Sequence, residues 1–104
     1  MDIKHFVVRV YGIFINSNKE ILISDEFQLD MKMTKFPGGG MHFGEGTIDC
    51  LKREAIEEFG QEIEVLEHFY TTYYFEAADC YDDYQLMSRY YLPKFKEPVG
   101  FKIS

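Results

Sequence analysis

From Phe6 to Ile15 the chain is dense in β-branched and aromatic residues, a pattern that predicts a strand. Asn16-Ser17-Asn18-Lys19 then reads as a turn into the apolar run Ile21-Leu22-Ile23, so the two segments predict an early hairpin. The period changes after Glu45. Ile48, Leu51, Ala55 and Phe59 recur at helical spacing, with Thr47 as a reasonable N-cap, Glu45 and Asp49 placing negative charge at the helix N-terminus, and Gly60 as the stop. A helix over residues 47–59 follows, with those four residues as its apolar stripe. Ile63 to Phe75 and Tyr84 to Phe95 read as two further strands joined by residues 76–83. Strand, strand, loop, helix, strand, strand is the expected order, which places the fold in the α/β (α+β) class as a mixed sheet carrying one helix. The sequence holds no internal repeat and no low-complexity stretch.

The predicted helix contradicts its own local chemistry. Glu54, Glu57 and Glu58 stand at i, i+3 and i+4 and share a stripe beside the apolar one. Like charges at these spacings cost roughly 0.2–0.5 kcal/mol per pair. Glu57 and Glu58 also lie in the last turn, where the helix dipole disfavours anions. A bound divalent cation reverses the sign of each effect, and oxygen donors without an organised His or Cys suit a hard ion, Mg²⁺ first and Mn²⁺ second. Ahead of the helix, Pro37 is followed by Gly38, Gly39 and Gly40, a loop whose backbone can approach a ligand closely and turn a carbonyl towards the same ion.

Taken together, Gly39, Glu45 and the run Arg53-Glu54-Ala55-Ile56-Glu57-Glu58-Phe59-Gly60-Gln61, behind Phe36-Pro37-Gly38-Gly39-Gly40, resemble the pyrophosphatase signature of the Nudix hydrolases. The resemblance departs at two packing positions, Ala55 and Gln61, where the family usually has aliphatic residues, and at none of the carboxylates. It implies that the Gly38 carbonyl, Glu57 and Glu58 hold metal, that Glu54 activates water or joins the metal shell, that Arg53 orients Glu54, and that Glu45 braces the loop against Arg53. Gly39, Gly40 and His42 become candidate phosphate contacts. An additional acidic ligand is expected from Glu76, Asp79, Asp82 or Asp83. The implied activity is Mg²⁺-dependent cleavage of the pyrophosphate linkage of a nucleoside triphosphate or nucleoside diphosphate derivative, and the alternative is a nucleotide-binding module that does not cleave. Residues 76–78 are Glu, Ala and Ala and the chain has no tryptophan, so the family's substrate-specific markers do not narrow the choice. Family domains usually add a second major helix after the last strands. Residues 96–104 are too short for one and are broken by Pro98 and Gly100, so a single domain over 1–104, shortened at its C-terminus, is expected. The face left uncovered predicts a homodimer burying strands 63–75 and 84–95.

Composition bounds these expectations. A 104-residue chain with 46% apolar residues can build one core. It has no apolar run of membrane-spanning length, and Met1-Asp2-Ile3-Lys4-His5 lacks a signal-peptide layout, so a cytoplasmic location is expected. Cys50 and Cys80 have no Cys-x-x-Cys spacing and read as free thiols. A net charge of −7 argues against duplex nucleic acid, where affinity depends on cationic side chains, whereas a small phosphorylated substrate can enter an acidic site with Mg²⁺. His5, His42 and His68 show no metal spacing. Among Tyr70, Tyr73, Tyr74, Phe75, Tyr81, Tyr84, Tyr90 and Tyr91, one or two are expected to stack on a base, the others to fill half-buried strands.

Overall fold

The computed structural model describes residues 3–28, 31–78 and 83–97, with backbone only for 24–28 and 31–35. The elements are β1 (His5–Gly12), β2 (Ser24–Gln28), β3 (Met31–Lys35), β4 (Gly38–Gly40), α1 (Thr47–Phe59), β5 (Ile63–Thr71) and β6 (Tyr84–Phe95). Four strands form a mixed sheet in the order β4-β1-β6-β5, as the α+β expectation requires. β1 runs parallel to β6, with His5 opposite Tyr84 and Gly12 opposite Tyr91, while β4 and β5 flank the pair antiparallel. β2 and β3 pair with each other in a separate two-stranded sheet. Among the described residues no helix is long and apolar enough to cross a membrane.

α1 spans the predicted residues, but its start is capped differently. Gly46 rather than Thr47 is the N-cap, its carbonyl taking the first helical bond from the Cys50 amide at 3.0 Å and its amide donating to Asp49 Oδ2 at 3.2 Å. Thr47 is freed to hydrogen-bond through its hydroxyl to that of Tyr91 on β6. At the other end Gly60 is left-handed, with φ 66°, and its amide closes onto the Ile56 carbonyl at 2.9 Å.

The helix lies on the face of the sheet that carries Val10 and Tyr91, and Cys50, Leu51 and Ala55 are its buried residues. The apolar stripe is rotated from the expected one. Ile48 is 41% exposed and the Cys50 thiol occupies the interior instead, where burial pushes its pKa up to about 11. Ala55, one of the two departures from the signature, is fully packed. Phe14, Phe59 and Phe95 close the end of the core, with Phe14 stacked on Phe95 at 4.7 Å and Phe59 edge-on to both. Gln61, the other departure, has Oε1 buried with no hydrogen-bond partner among the described residues.

Three strand expectations change. β1 stops at Gly12, because the next residues leave the strand to send Phe14 into the core. The early hairpin reduces to one bridge, Ile15 to Ile21, since Asn16 Oδ1 captures the amides of Asn18 and Glu20, each at 2.9 Å, and Lys19 takes a left-handed φ of 62°. β5 ends at Thr71 rather than Phe75, after two register shifts against β6, and leaves Leu66 and Phe69 exposed on an edge strand. Cys80 and residues 98–104 lie outside the described residues.

Candidate active site

The glycine segment expected as a loop is a strand. Gly38, Gly39 and Gly40 form β4, paired with Tyr11, Val10 and Arg9. Glycine has no intrinsic preference for a strand, so pairing to β1 imposes the form, and the bare Cα atoms let α1 lie close. A Cβ on Gly39 would stand 2.7 Å from the carboxyl carbon of Glu54, so that carboxylate is seated in the space a side chain would fill. The Gly38 amide donates to Glu58 Oε1 at 3.2 Å, and the other oxygen of Glu58 is also buried.

Arg53 ties the remaining parts together. Its Nε and Nη2 donate to the two oxygens of Glu45 at 3.0 and 2.8 Å, a bidentate pairing, and Nη2 also donates to the Gly40 carbonyl at 2.9 Å. Nη1 reaches Glu54 at 3.1 Å and Glu57 at 2.6 Å. The guanidinium therefore stands between two of the three like charges and offsets the repulsion expected along this stripe. Glu45 additionally accepts the His42 amide at 2.9 Å, which fixes the connection from β4 into α1. The Arg53 guanidinium, and then the His42 amide, hold the Glu45 carboxyl down at about 2, and the same carboxylates raise the Arg53 pKa.

This pairing has a pH consequence. The Glu45 pKa falls below its ordinary 4.5, so the stabilisation is present above pH 4.5 and is lost as pH drops towards 2. Acid titration of folding stability should show a steeper loss across that window for the native chain than for Glu45→Gln. Equal slopes would mean the pair does not bear on folding.

The glutamates and glycines are thus gathered at the β4 edge, and the donors able to hold a hard cation are the carboxylates of Glu54, Glu57 and Glu58 with the Gly38 carbonyl. Their oxygen-only chemistry fits Mg²⁺ or Mn²⁺. Among the described residues no set of three or more His, Cys, Asp or Glu side chains is arranged as a ready metal cluster, and Arg53 engages Glu54 and Glu57. The Asp83 backbone carbonyl accepts the Lys4 and His5 amides at the start of β1, and its carboxylate faces His5 Nε2 at 3.6 Å. Asp79 and Asp82 lie outside the described residues. His42 is exposed.

Glu76 lines a pocket of about 400 Å³ with Tyr11, Phe36, Tyr74, Leu86 and Tyr90. Alternation puts this pocket on the sheet face away from α1, because Val10 and Tyr91 face the helix and their neighbours Tyr11 and Tyr90 point the other way. Tyr11 stacks on Tyr90 at 5.4 Å and Phe36 meets Tyr90 edge-on at 6.1 Å. Burial, then Tyr11 and Glu76, raise the Tyr90 pKa. The pocket and the carboxylates adjoin across β4, since Tyr11 is the strand partner of Gly38 and Phe36 precedes it by two residues. Tyr74 and Tyr90 come from the aromatic set of the second half. Tyr11 was not among the candidates, although its place next to core residue Val10 in an alternating strand is a signal that finds it.

The family model for the NUDIX domain matches residues 5–100. The chain belongs to the Nudix hydrolase family. No curated protein sequence matches it. Among solved structures it is similar to a NUDIX hydrolase from Nitrosomonas europaea, at TM-score 0.74 and 16% identity over 97% of this chain and 66% of that one. A MutT protein from Methanosarcina mazei Go1 gives 0.72 and 18% over 97% and 71%. The DNA mismatch repair protein MutT of methicillin-resistant Staphylococcus aureus 252, of the Nudix hydrolase family, gives 0.69 and 26% over 94% and 73%. This Nudix chain thus spans about two thirds of the length of the solved relatives it matches.

Proposed function

We propose that this chain hydrolyses the pyrophosphate linkage of a nucleoside triphosphate or a nucleoside diphosphate derivative, with Mg²⁺, or Mn²⁺ in its place, held by Glu54, Glu57, Glu58 and the Gly38 carbonyl. The observation that carries this reading is the carboxylate group organised by Arg53 at the β4 edge, together with an aromatic pocket on the other sheet face that contains Tyr11, the strand partner of Gly38; its volume is in the usual small-ligand range of about 300–1,000 Å³. Bound there, the cation would neutralise charge on the phosphates and polarise the attacking water. Arg53 holds the Glu54 carboxylate in place, and Glu54 takes the proton of that water or completes the ligand set. Glu45 fixes the loop that carries His42, with Gly39 and Gly40 leaving backbone open to the phosphates. Tyr11, Phe36, Tyr74 and Tyr90 hold the nucleoside.

A panel of nucleoside triphosphates, nucleotide sugars, dinucleoside polyphosphates and ADP-ribose, incubated with and without Mg²⁺, tests the proposal by time-dependent release of a phosphorylated product. Release that requires the cation supports it. Binding of nucleotides with no release from any of them would turn the reading to a nucleotide-binding module. Light scattering on the same preparation reads the homodimer expected to bury segments 63–75 and 84–95, and a 12.3 kDa particle would end that part.

A further inference from the structure

Glu76 brings the one charged side chain among the described residues lining the aromatic pocket. Its backbone is pinned to β6, where the Leu86 amide donates to the Glu76 carbonyl at 2.8 Å and Ala77 bridges Gln85. Two other oxygens of the pocket are engaged. The Tyr11 hydroxyl accepts Arg9 Nε at 2.7 Å, and the Thr72 hydroxyl accepts the Ser88 amide at 3.0 Å. An ionised carboxylate only accepts hydrogen bonds, through two oxygens side by side. It therefore complements an aromatic ligand edge with two adjacent N–H donors and repels an edge that places a lone pair next to a donor.

Among nucleobases, guanine presents such a pair in N1–H and its 2-amino group. Adenine and cytosine each set a ring-nitrogen acceptor beside the amino group, and uracil flanks one N–H with two carbonyls. We infer that Glu76 is a specificity-determining residue that selects guanine nucleotides by accepting both donors while the ring lies among Tyr11, Phe36, Tyr74 and Tyr90. The inference rests on the reading of this pocket as the nucleoside site. A half-buried charged acceptor makes each mismatch expensive, about 10- to 100-fold for one hydrogen bond to a charged group. Against a hydrogen-bonding site of this kind, the analogue lacking the donor is the one rejected.

The test compares kcat/KM for the guanosine, inosine, adenosine and cytidine forms of one phosphate derivative, and in parallel the binding of GMP, IMP and AMP by quenching of tyrosine fluorescence. Guanine should exceed inosine, which lacks only the 2-amino group, by 10-fold or more in the native chain. Glu76→Gln exchanges one acceptor for a donor, so it should reduce guanine by about 10- to 100-fold and raise adenine, whose amino group and ring nitrogen match a carboxamide. Turnover with no base preference, or a preference unchanged in Glu76→Gln, overturns the inference and leaves the hydrolase intact. Guanine-selective binding without turnover of any compound supports the inference and removes the hydrolase. The guanine and inosine comparison needs no variant, so poor folding of Glu76→Gln would not shield the proposal.

Discussion

Glu58→Gln should lower kcat/KM on the proposed substrates by on the order of 10²–10³, the scale of losing one preorganised charge-stabilising group, while leaving the fold in place. The glutamine carbonyl can still accept the Gly38 amide that Glu58 Oε1 now receives, so β4 keeps its tie to α1. A change of this kind should stay within about 0.5 kcal/mol, and the melting temperature within about 4 °C. Thermal unfolding of the cation-free chain beside a rate assay separates the two effects. A variant that melts far lower and loses rate only in proportion to its unfolded fraction would make Glu58 a structural residue. Glu57→Gln should follow the same course, because its carboxylate is more than half exposed and its contact with Arg53 lies at the surface.

The largest effect on stability is expected at Gly38. Its φ is +144°, outside the range of side-chain-bearing residues, and an added Cβ would stand 2.8 Å from the Tyr11 Cα and 2.9 Å from the Val10 carbonyl carbon. Both neighbours are backbone of the central strand and have nowhere to move. Gly38→Ala should therefore cost about 3 kcal/mol or more, lowering the melting temperature by roughly 10–20 °C. Gly39→Ala makes the contrast. There the intruding methyl meets a carboxylate, which can swing aside, so the fold should tolerate the change better than rate does, with Glu54 displaced from its seat. Equal melting of the two variants would show that backbone conformation is not what fixes glycine at position 38.

The helix was legible from sequence to the residue because its end signals are local. Gly60 supplies the left-handed stop, and the 3.6-residue period carries Leu51, Ala55 and Phe59 onto one face. The centre of that face was not local information. Cys50 rather than Ile48 is interior because the helix turns that side to the core that holds Val10 and Ile63, and a period alone leaves neighbouring stripes equivalent. The same limit applies to β4. Three glycines carry no strand signal, and only the presence of Tyr11 and Val10 alongside makes them one. The carboxylates were readable as a set through their spacing, but the link from Arg53 to Glu57 depends on where a long side chain turns once Glu45 has claimed its other edge. The pocket was the least legible part. Tyr11 and Tyr90 stack across a parallel pairing of strands far apart in sequence, which no window along the chain can contain.

That parallel pairing also bears on how the molecule comes into being. β1 precedes the other described strands along the chain, yet its longest neighbour is β6, with His5 waiting for Tyr84 and Tyr11 for Tyr90. Contacts of such sequence separation close slowly, because the intervening chain must be ordered before they are rewarded. Until β6 emerges from the ribosome, α1 has only half a surface on which to lie, since the wall it needs at Tyr91 and Phe95 does not yet exist. The carboxylate helix, complete in its own signals, thus acquires a fixed position only when β6 is inserted between β1 and β5. Assembly of the carboxylate edge is tied to closure of the sheet as one event.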